Sequence, residues 1–200
     1  MLLVIDSATA ACSAALIGPD GDVVDARHEI VGRGHAERLV PMIADLLGGR
    51  VPAEILVDCG PGSFTGVRVG LAAAHGLAIG WKVPLAGYSS LALIAAASGE
   101  AEVAVALAGG HGEVFVQSYG GDPIAPLDDL RSLAPAAAAA AITADLLLGS
   151  GAEAVVAARG WGRARDALPR AADARRLPAN LRALPPRPIY GRAPDAKPMR

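Results

Sequence analysis

Apolar residues gather along this chain in short runs punctuated by glycine and proline. Leu2-Leu3-Val4-Ile5 ends in Asp6, and a second run spans 12–17. Gly18-Pro19-Asp20-Gly21 is a strong turn signal, with mixed polarity over 22–30 after it. The pattern predicts three strands, antiparallel because links this short cannot make a crossover. From His35 the period changes. Leu39, Val40, Met42, Ile43, Leu46 and Leu47 recur at helical spacing and Gly48-Gly49 stop them, which predicts a helix over 35–47. Pro41, within its early turns, should bend it or mark its effective start. A buried strand at 55–58 and the glycine-rich loop Gly60-Pro61-Gly62-Ser63-Phe64-Thr65-Gly66 come next. A second helix over 65–81, a short strand at 83–86 and a serine-capped helix over 90–97 complete this half.

The second half opens the same way. Apolar runs at 103–107 and 113–119 flank Gly109-Gly110-His111-Gly112. A polar loop at Asp128-Asp129, a helix over the alanine-rich stretch 136–148 and a strand at 154–158 are expected next. The halves read as degraded copies of one module. The class is α/β, with mixed sheets and helices on them. The expected division is 1–99 for an N-terminal lobe and 100–200 for a smaller C-terminal lobe and tail. Beyond Arg159 the periodicity fades, and recurrent prolines from Pro169 to Pro188 predict an extended tail with room for a helix over 170–177.

Composition adds three constraints. The chain is 52% hydrophobic and 19% charged, which suits a globular protein, and only 4% aromatic, so its core must be built from Ala, Val, Leu and Ile. The longest apolar stretch, from Pro135 to Leu148, is mostly alanine and carries Asp145, too short and too polar for a bilayer. The opening Met-Leu-Leu-Val-Ile-Asp lacks a basic segment, so the expectation is a cytoplasmic protein with no membrane partner. Charge is uneven: residues 1–158 hold 7 basic and 17 acidic residues, residues 159–200 hold 11 and 3. Such a tail either faces nucleic acid or is an arginine-rich stretch lying on an acidic body. The dispersed arginines, with few aromatics among them, favour the second reading.

Candidate chemistry is sparse. The glycine-rich loop sits where phosphate loops sit, yet it lacks a Gly-Lys-Ser/Thr ending and the Rossmann spacing, and Pro61 removes a donor. Its glycines suit a tight strand-to-helix turn that brings the helix close to the sheet. The second helix is apolar nearly all round. Arg68, His75 and Lys82, spaced by seven, form its polar stripe. Either a second molecule covers its outer face, or it is a buried central helix. Asp6 in Asp6-Ser7-Ala8-Thr9 stands where nucleotide-using actin-like folds place an Asp-x-Gly-Thr turn, here without the glycine; a buried acid bonded to backbone amides is the preferred reading. Cys12 and Cys59 read as buried thiols. No two of His28, His35, His75 and His111 lie four apart, so no His-x-x-x-His metal face exists, and no serine has an evident base.

Several segments together resemble one family. The run Gly60-Pro61-Gly62-Ser63-Phe64-Thr65-Gly66-Val67-Arg68-Val69-Gly70-Leu71 is similar to the hallmark of the bacterial TsaB, or YeaZ-like, family. So are Ile5 to Thr9 with Cys12-Ser13, His35 to Ile43, Val83 to Leu91 and the terminal Pro188 to Pro198. The resemblance is dense over 1–91 and patchy beyond. It implies an actin-like (ASKHA, ribonuclease-H-like) two-lobe fold with a truncated or degenerate second lobe. It implies a non-catalytic scaffold for a TsaD-type subunit, which forms threonylcarbamoyladenosine on tRNA beside the anticodon, with a TsaE-type ATPase as third member. ATP and metal belong to those partners, this chain needs no cofactor, and tRNA is reached indirectly. In isolation a homodimer is implied. The interface is expected at His35, Arg38, Leu39, Met42, Ile43, Leu46, Phe64, Arg68, Val69, Ala72, Ala73, His75 and Gly76, with Leu39, Met42, Ile43 and Leu46 supplying much of its area and Gly70 and Ala74 allowing close approach. Asp6, Ser7, Thr9, Gly109 and Gly110 are expected as remnants of a nucleotide site. Two departures stand out. Ala108-Gly109-Gly110-His111 has lost the acid and arginine usual there, and Gly191 replaces a leucine. The rival function is an actin-like ATPase or kinase acting on its own, and a direct tRNA-binding module rests on the basic tail alone.

Overall fold

The computed structural model describes residues 1–191. β1 (Leu2–Asp6), β2 (Ala11–Ile17) and β3 (Val23–Ile30) form an antiparallel meander. α1 (His35–Leu47) crosses to β4 (Glu54–Asp58), and α2 (Phe64–Trp81) crosses to β5 (Leu85–Tyr88), giving the order β3-β2-β1-β4-β5 with β1, β4 and β5 parallel. α3 (Ser90–Ser98) leads to the second sheet. There β6 (Glu102–Ala108) pairs antiparallel with β7 (Val114–Gly120), which also carries β8 (Ala125–Pro126) and β9 (Arg131–Leu133). α4 (Pro135–Ala141) crosses to β10 (Leu146–Leu148) and α5 (Ala152–Arg159) to β11 (Arg163–Arg165), both parallel to β6. The second sheet therefore repeats the order of the first, with β8 and β9 together in the place of β3 and with shorter crossover helices and parallel edge strands. This is the mixed-sheet, two-lobe arrangement that the repeated hydrophobic pattern implies.

Three apolar clusters set the layers. α1 and α2 pack on the outer face of the first sheet, and α4 and α5 on the outer face of the second. Between the inner faces lie α3 and a 3₁₀ turn at Ala171–Arg176. The fillers are small, as the composition requires: α3 alone buries Ala92, Ala95 and Ala96 beside Leu91, Leu93 and Ile94.

The structure corrects several local expectations. The helix expected over 136–148 ends at Ala141, before the β-branched pair Ile142-Thr143, and Leu146–Leu148 forms β10. Three leucines buried on both faces carry no period that separates strand from helix. The stretch 154–158, expected as a strand, lies within α5, where alanine's helical preference wins and Ala152 and Val155, one turn apart, face the core. β5 starts at Leu85 rather than Val83. Ser89 holds the cap position of α3 without a side-chain cap bond, and Ser90 turns to Asp58 instead. α1 runs unbroken through Pro41, which lies on its exposed side.

After β11 the chain returns to the first lobe. Ala171 N–H donates to Ser13 Oγ, Leu184 bridges to Gly87, and Ile189 N–H donates to the Cys59 carbonyl. Arginines of β11 and of this segment turn to the body. Arg163 pairs with Asp145, Arg165 with Glu100, and Arg176 and Arg182 donate to backbone carbonyls. Arg192 to Pro198, the rest of the terminal motif, lies outside the described residues.

Candidate functional site

The glycine-rich loop is built by close approach. Ser63 caps α2 by accepting from Gly66 N–H at 3.2 Å, and its own N–H donates to the Ala8 carbonyl at 2.6 Å. Ser7 Oγ donates to the Gly66 carbonyl at 2.9 Å. The loop and the first helical turn thus lie directly on the β1–β2 turn. A Cβ on Gly62 would stand 2.1 Å from Ala8 O, one on Gly66 2.0 Å from Ser7 O, and one on Gly70 2.4 Å from Ser7 Oγ. Only glycine fits at each, so the spacing of these glycines is set by packing against one turn.

Behind the loop lies a polar cluster sealed from water. Asp6 closes β1 and Asp58 closes the adjacent β4; each is 1% exposed. Asp6 accepts from Tyr88 Oη at 2.8 Å and from Ala8 N–H at 3.4 Å. Asp58 Oδ1 accepts from Gly60 N–H at 2.8 Å and from Ser90 Oγ at 2.5 Å, while its Oδ2 has no partner. Burial raises Asp6 to about 6, against the opposing pull of Tyr88 and the Ala8 amide. Burial, with the like charge of Asp6 added, holds Asp58 well above the usual carboxylate range. Both thiols are raised by burial, Cys12 to about 11 and Cys59 to about 12, so neither is an activated nucleophile.

The expected nucleotide remnants divide between two places. Thr9, Gly109 and Gly110 line a cleft of about 1040 Å³ between the lobes, whereas Asp6 and Ser7 lie buried behind its wall. Among the described residues no lysine lines the cleft. Its cation, Arg68, is held by the chain itself: it stacks 3.3 Å from the Phe64 ring centre and donates to Tyr190 Oη at 2.7 Å. Glu113 accepts from Ser132, and His111 adopts a left-handed φ of 60° at the tip of the second-lobe turn. Among the described residues no group of three His, Cys, Asp or Glu could hold a metal, and no helix is long and apolar enough to cross a membrane.

The outer surface of α1 and α2 differs from its expected composition. Leu39, Met42, Ile43 and Leu46 are 0–2% exposed and spent on the lobe's own core; of the four, Ile43 alone also reaches the wall of the groove between the helices. Gly70 and Ala74 likewise face the sheet. Val69 is half-buried against the same core. His35 is buried and donates to Thr9 O at 2.8 Å; Arg38 makes a two-pronged pair with Glu29. What remains outside is a groove between the helices lined by Val40, Ala44, Ala72, Ala73, Gly76 and Trp81. α2 is thus not a central helix of this chain: Ala72, His75, Gly76, Ile79 and Gly80 are exposed along its outer side. Phe64 stands 70% exposed at its start. His75 donates to the Pro186 carbonyl, so the returning tail borders this surface, a contact that local sequence patterns cannot reveal.

A family model described as "TsaD: tRNA N6-adenosine threonylcarbamoyltransferase" matches residues 26–159. The tRNA threonylcarbamoyladenosine biosynthesis protein TsaB of Escherichia coli is 40% identical over 59% of this chain and 54% of its own length. An uncharacterised Mycobacterium tuberculosis protein, Rv3421c, is 33% identical over 99% of this chain and 94% of its own. The structure of YeaZ from Pseudomonas aeruginosa superposes with a TM-score of 0.80 at 30% identity, covering 94% of this chain and 98% of that one. The chain belongs to the TsaB, or YeaZ-like, family. Its fold is accordingly the actin-like one. The match spans about half the length of the E. coli TsaB relative, while the mycobacterial relative and YeaZ are covered almost throughout. In this TsaB-family chain the glycine-rich run is the seat of α2 on the β1–β2 turn.

Proposed function

We propose that the chain is a scaffold subunit, without chemistry of its own, that binds a TsaD-type catalytic subunit in the formation of threonylcarbamoyladenosine on tRNA. The observation that carries this reading is the apolar groove between α1 and α2, floored by Ala72, Ala73 and Gly76, small residues that admit a second helix closely. ATP and metal serve the partners, a TsaE-type ATPase completes the ternary assembly, tRNA is reached through the partners, and the work is cytoplasmic. In isolation the same surface pairs two copies about a two-fold axis.

The rival reading, an actin-like ATP-binding enzyme, has the retained cleft in its favour. Against it stands the sealing of Asp6 away from the cleft, with no lysine in the cleft lining among the described residues. The chain is mixed with its cognate TsaD-type protein and the mass of the complex measured, while ATP is titrated into the chain alone. A stoichiometric complex with no phosphate release from the free chain is expected. Phosphate release that survives further purification, with no complex formed, would favour the enzyme.

A further inference from the structure

The two buried carboxyls have no role in the scaffold reading, and their surroundings set a constraint on their charge. Asp6 and Asp58 end adjacent parallel strands in a pocket without water access. The titratable groups that face them are Tyr88 from β5, Cys12 from β2 and Cys59 just after β4, with the Ser90 hydroxyl from α3 alongside. The donors are a phenol, a hydroxyl and the backbone amides of Ala8, Gly60 and Ser90; among the described residues no lysine, arginine or histidine pairs with either carboxyl. Two carboxylates at the ends of adjacent paired strands, both buried and without a cation, cannot both be ionised at low cost. The donors decide which keeps the charge. Each oxygen of Asp6 receives a hydrogen bond, whereas Asp58 takes the Gly60 amide and the Ser90 hydroxyl on Oδ1 and leaves Oδ2 without a bond. A charged group left so under-bonded in the interior is the more costly of the two.

We propose that Asp6 and Asp58 hold one proton between them, carried by Asp58, and that this proton fastens the glycine-rich loop and the start of α2 to the first sheet, making a pH-sensitive latch. The fastening is specific. Asp58 holds Gly60 N–H, and the Gly60 carbonyl in turn accepts from Ser90 N–H at 3.1 Å. Asp6 holds the turn whose Ala8 carbonyl accepts from Ser63 N–H. Loss of the proton leaves two like charges in a dry site. Relief comes by admitting water, and the cover on that side is the loop that opens α2. An effect on assembly rests on the reading of α2 as a partner surface; the latch itself does not.

The test uses the whole chain alone, so its failure is separable from failure of the partner reading. Carboxyl carbons of the aspartates are followed by NMR between about pH 4 and pH 9, assigned with Asp6→Asn and Asp58→Asn. The expected result is one protonated and one ionised carboxyl in the pair at about pH 7. As the remaining proton leaves, amide exchange at Ser63 and Gly66, corrected for intrinsic rates, should rise about tenfold or more. Asp58→Asn, neutral at every pH, should abolish that rise. Two carboxyls both ionised by about pH 5, or loop exchange that climbs in parallel in wild type and Asp58→Asn, would overturn the latch. Should Asp58→Asn not fold, the wild-type carboxyl titration decides alone.

Discussion

Gly66 shows how one position couples sequence, packing and surface. Its hydrogen lies against the Ser7 carbonyl, and the same residue's own carbonyl receives the Ser7 hydroxyl. Gly66→Ala should therefore push the start of α2 off the β1–β2 turn and lower stability by about 3 kcal/mol, measured by urea unfolding, since the Ser7 carbonyl that the added methyl meets is backbone and cannot step aside. Gly76→Ala is the control: nothing lies within 4 Å of a Cβ there, and stability should be unchanged or slightly raised. The presence of close-packing glycines was legible in the run from Gly60 to Gly70; what each meets was not, because Ser7 and Ala8 lie more than fifty residues away. Asp6 has a second consequence. Its folded-state value is raised to about 6 from 3.8, so the folded chain binds more protons than the unfolded one between those values. Stability from this group is complete below 3.8 and is lost as pH rises towards about 6. The unfolding midpoint of wild type, referred to that of Asp6→Asn, should fall across that window; a flat difference would mean Asp6 is not raised.

At the scale of the helix pair, the division of α1 into a core face and an outer face predicts opposite outcomes for two substitutions. Leu39→Ala opens a cavity in the lobe and should cost about 2–5 kcal/mol of folding stability, with little direct effect on association. Ala73→Arg sits in the groove and is part-exposed in the single chain, so the monomer should keep its circular dichroism. Buried against a second molecule, the added charge has no partner and should weaken self-association or TsaD-type binding at least about a hundredfold by sedimentation. Unchanged assembly of Ala73→Arg would place the interface elsewhere. The contrast also shows where periodicity stops informing. The wide apolar stripe on α1 gave the helix bounds His35–Leu47 as observed, yet it could not say that one lobe consumes Leu39, Met42, Ile43 and Leu46 itself. In α5 the short run Ala154 to Ala158 holds too few turns for its period to declare itself, and only the packing of Ala152 and Val155 on the second sheet settles its form.

Across the whole molecule, the segment after β11 acts as a tie between lobes, and the sequence signalled its extension but not its path. It leaves the second sheet, packs its 3₁₀ turn between the sheets, adds Leu184 to the edge of β5, and brings Gly191 against Phe115 of the second lobe. Arg176 and Arg182 are engaged on the way by backbone carbonyls, and Arg163 and Arg165 of β11, just before it, pair with Asp145 and Glu100. Two measurements follow from that path. The first is tRNA binding by the chain alone. Dispersed arginines, two of them engaged by backbone carbonyls, offer few phosphate contacts, so binding should be weak at physiological salt and should vanish further as salt rises, with a shallow slope in a log–log plot. A slope of six or more phosphate contacts, on the order of a thousandfold loss across a fourfold salt increase, would make the tail a nucleic-acid arm. The second concerns the tie. Arg68→Met with Tyr190→Ala removes the stacked clasp at the cleft mouth while leaving the groove between α1 and α2 intact. The pair is part-exposed, so the loss of folding stability should be modest, about 1 kcal/mol. The larger effect should be dynamic: with Tyr190 free, amides of Leu184 and Ile189 lose protection by hydrogen exchange, while those of β1 and β4 keep theirs. Equal protection at Leu184 and Ile189 in the double variant would show that the strand-edge bonds alone hold the tail and that the clasp is incidental.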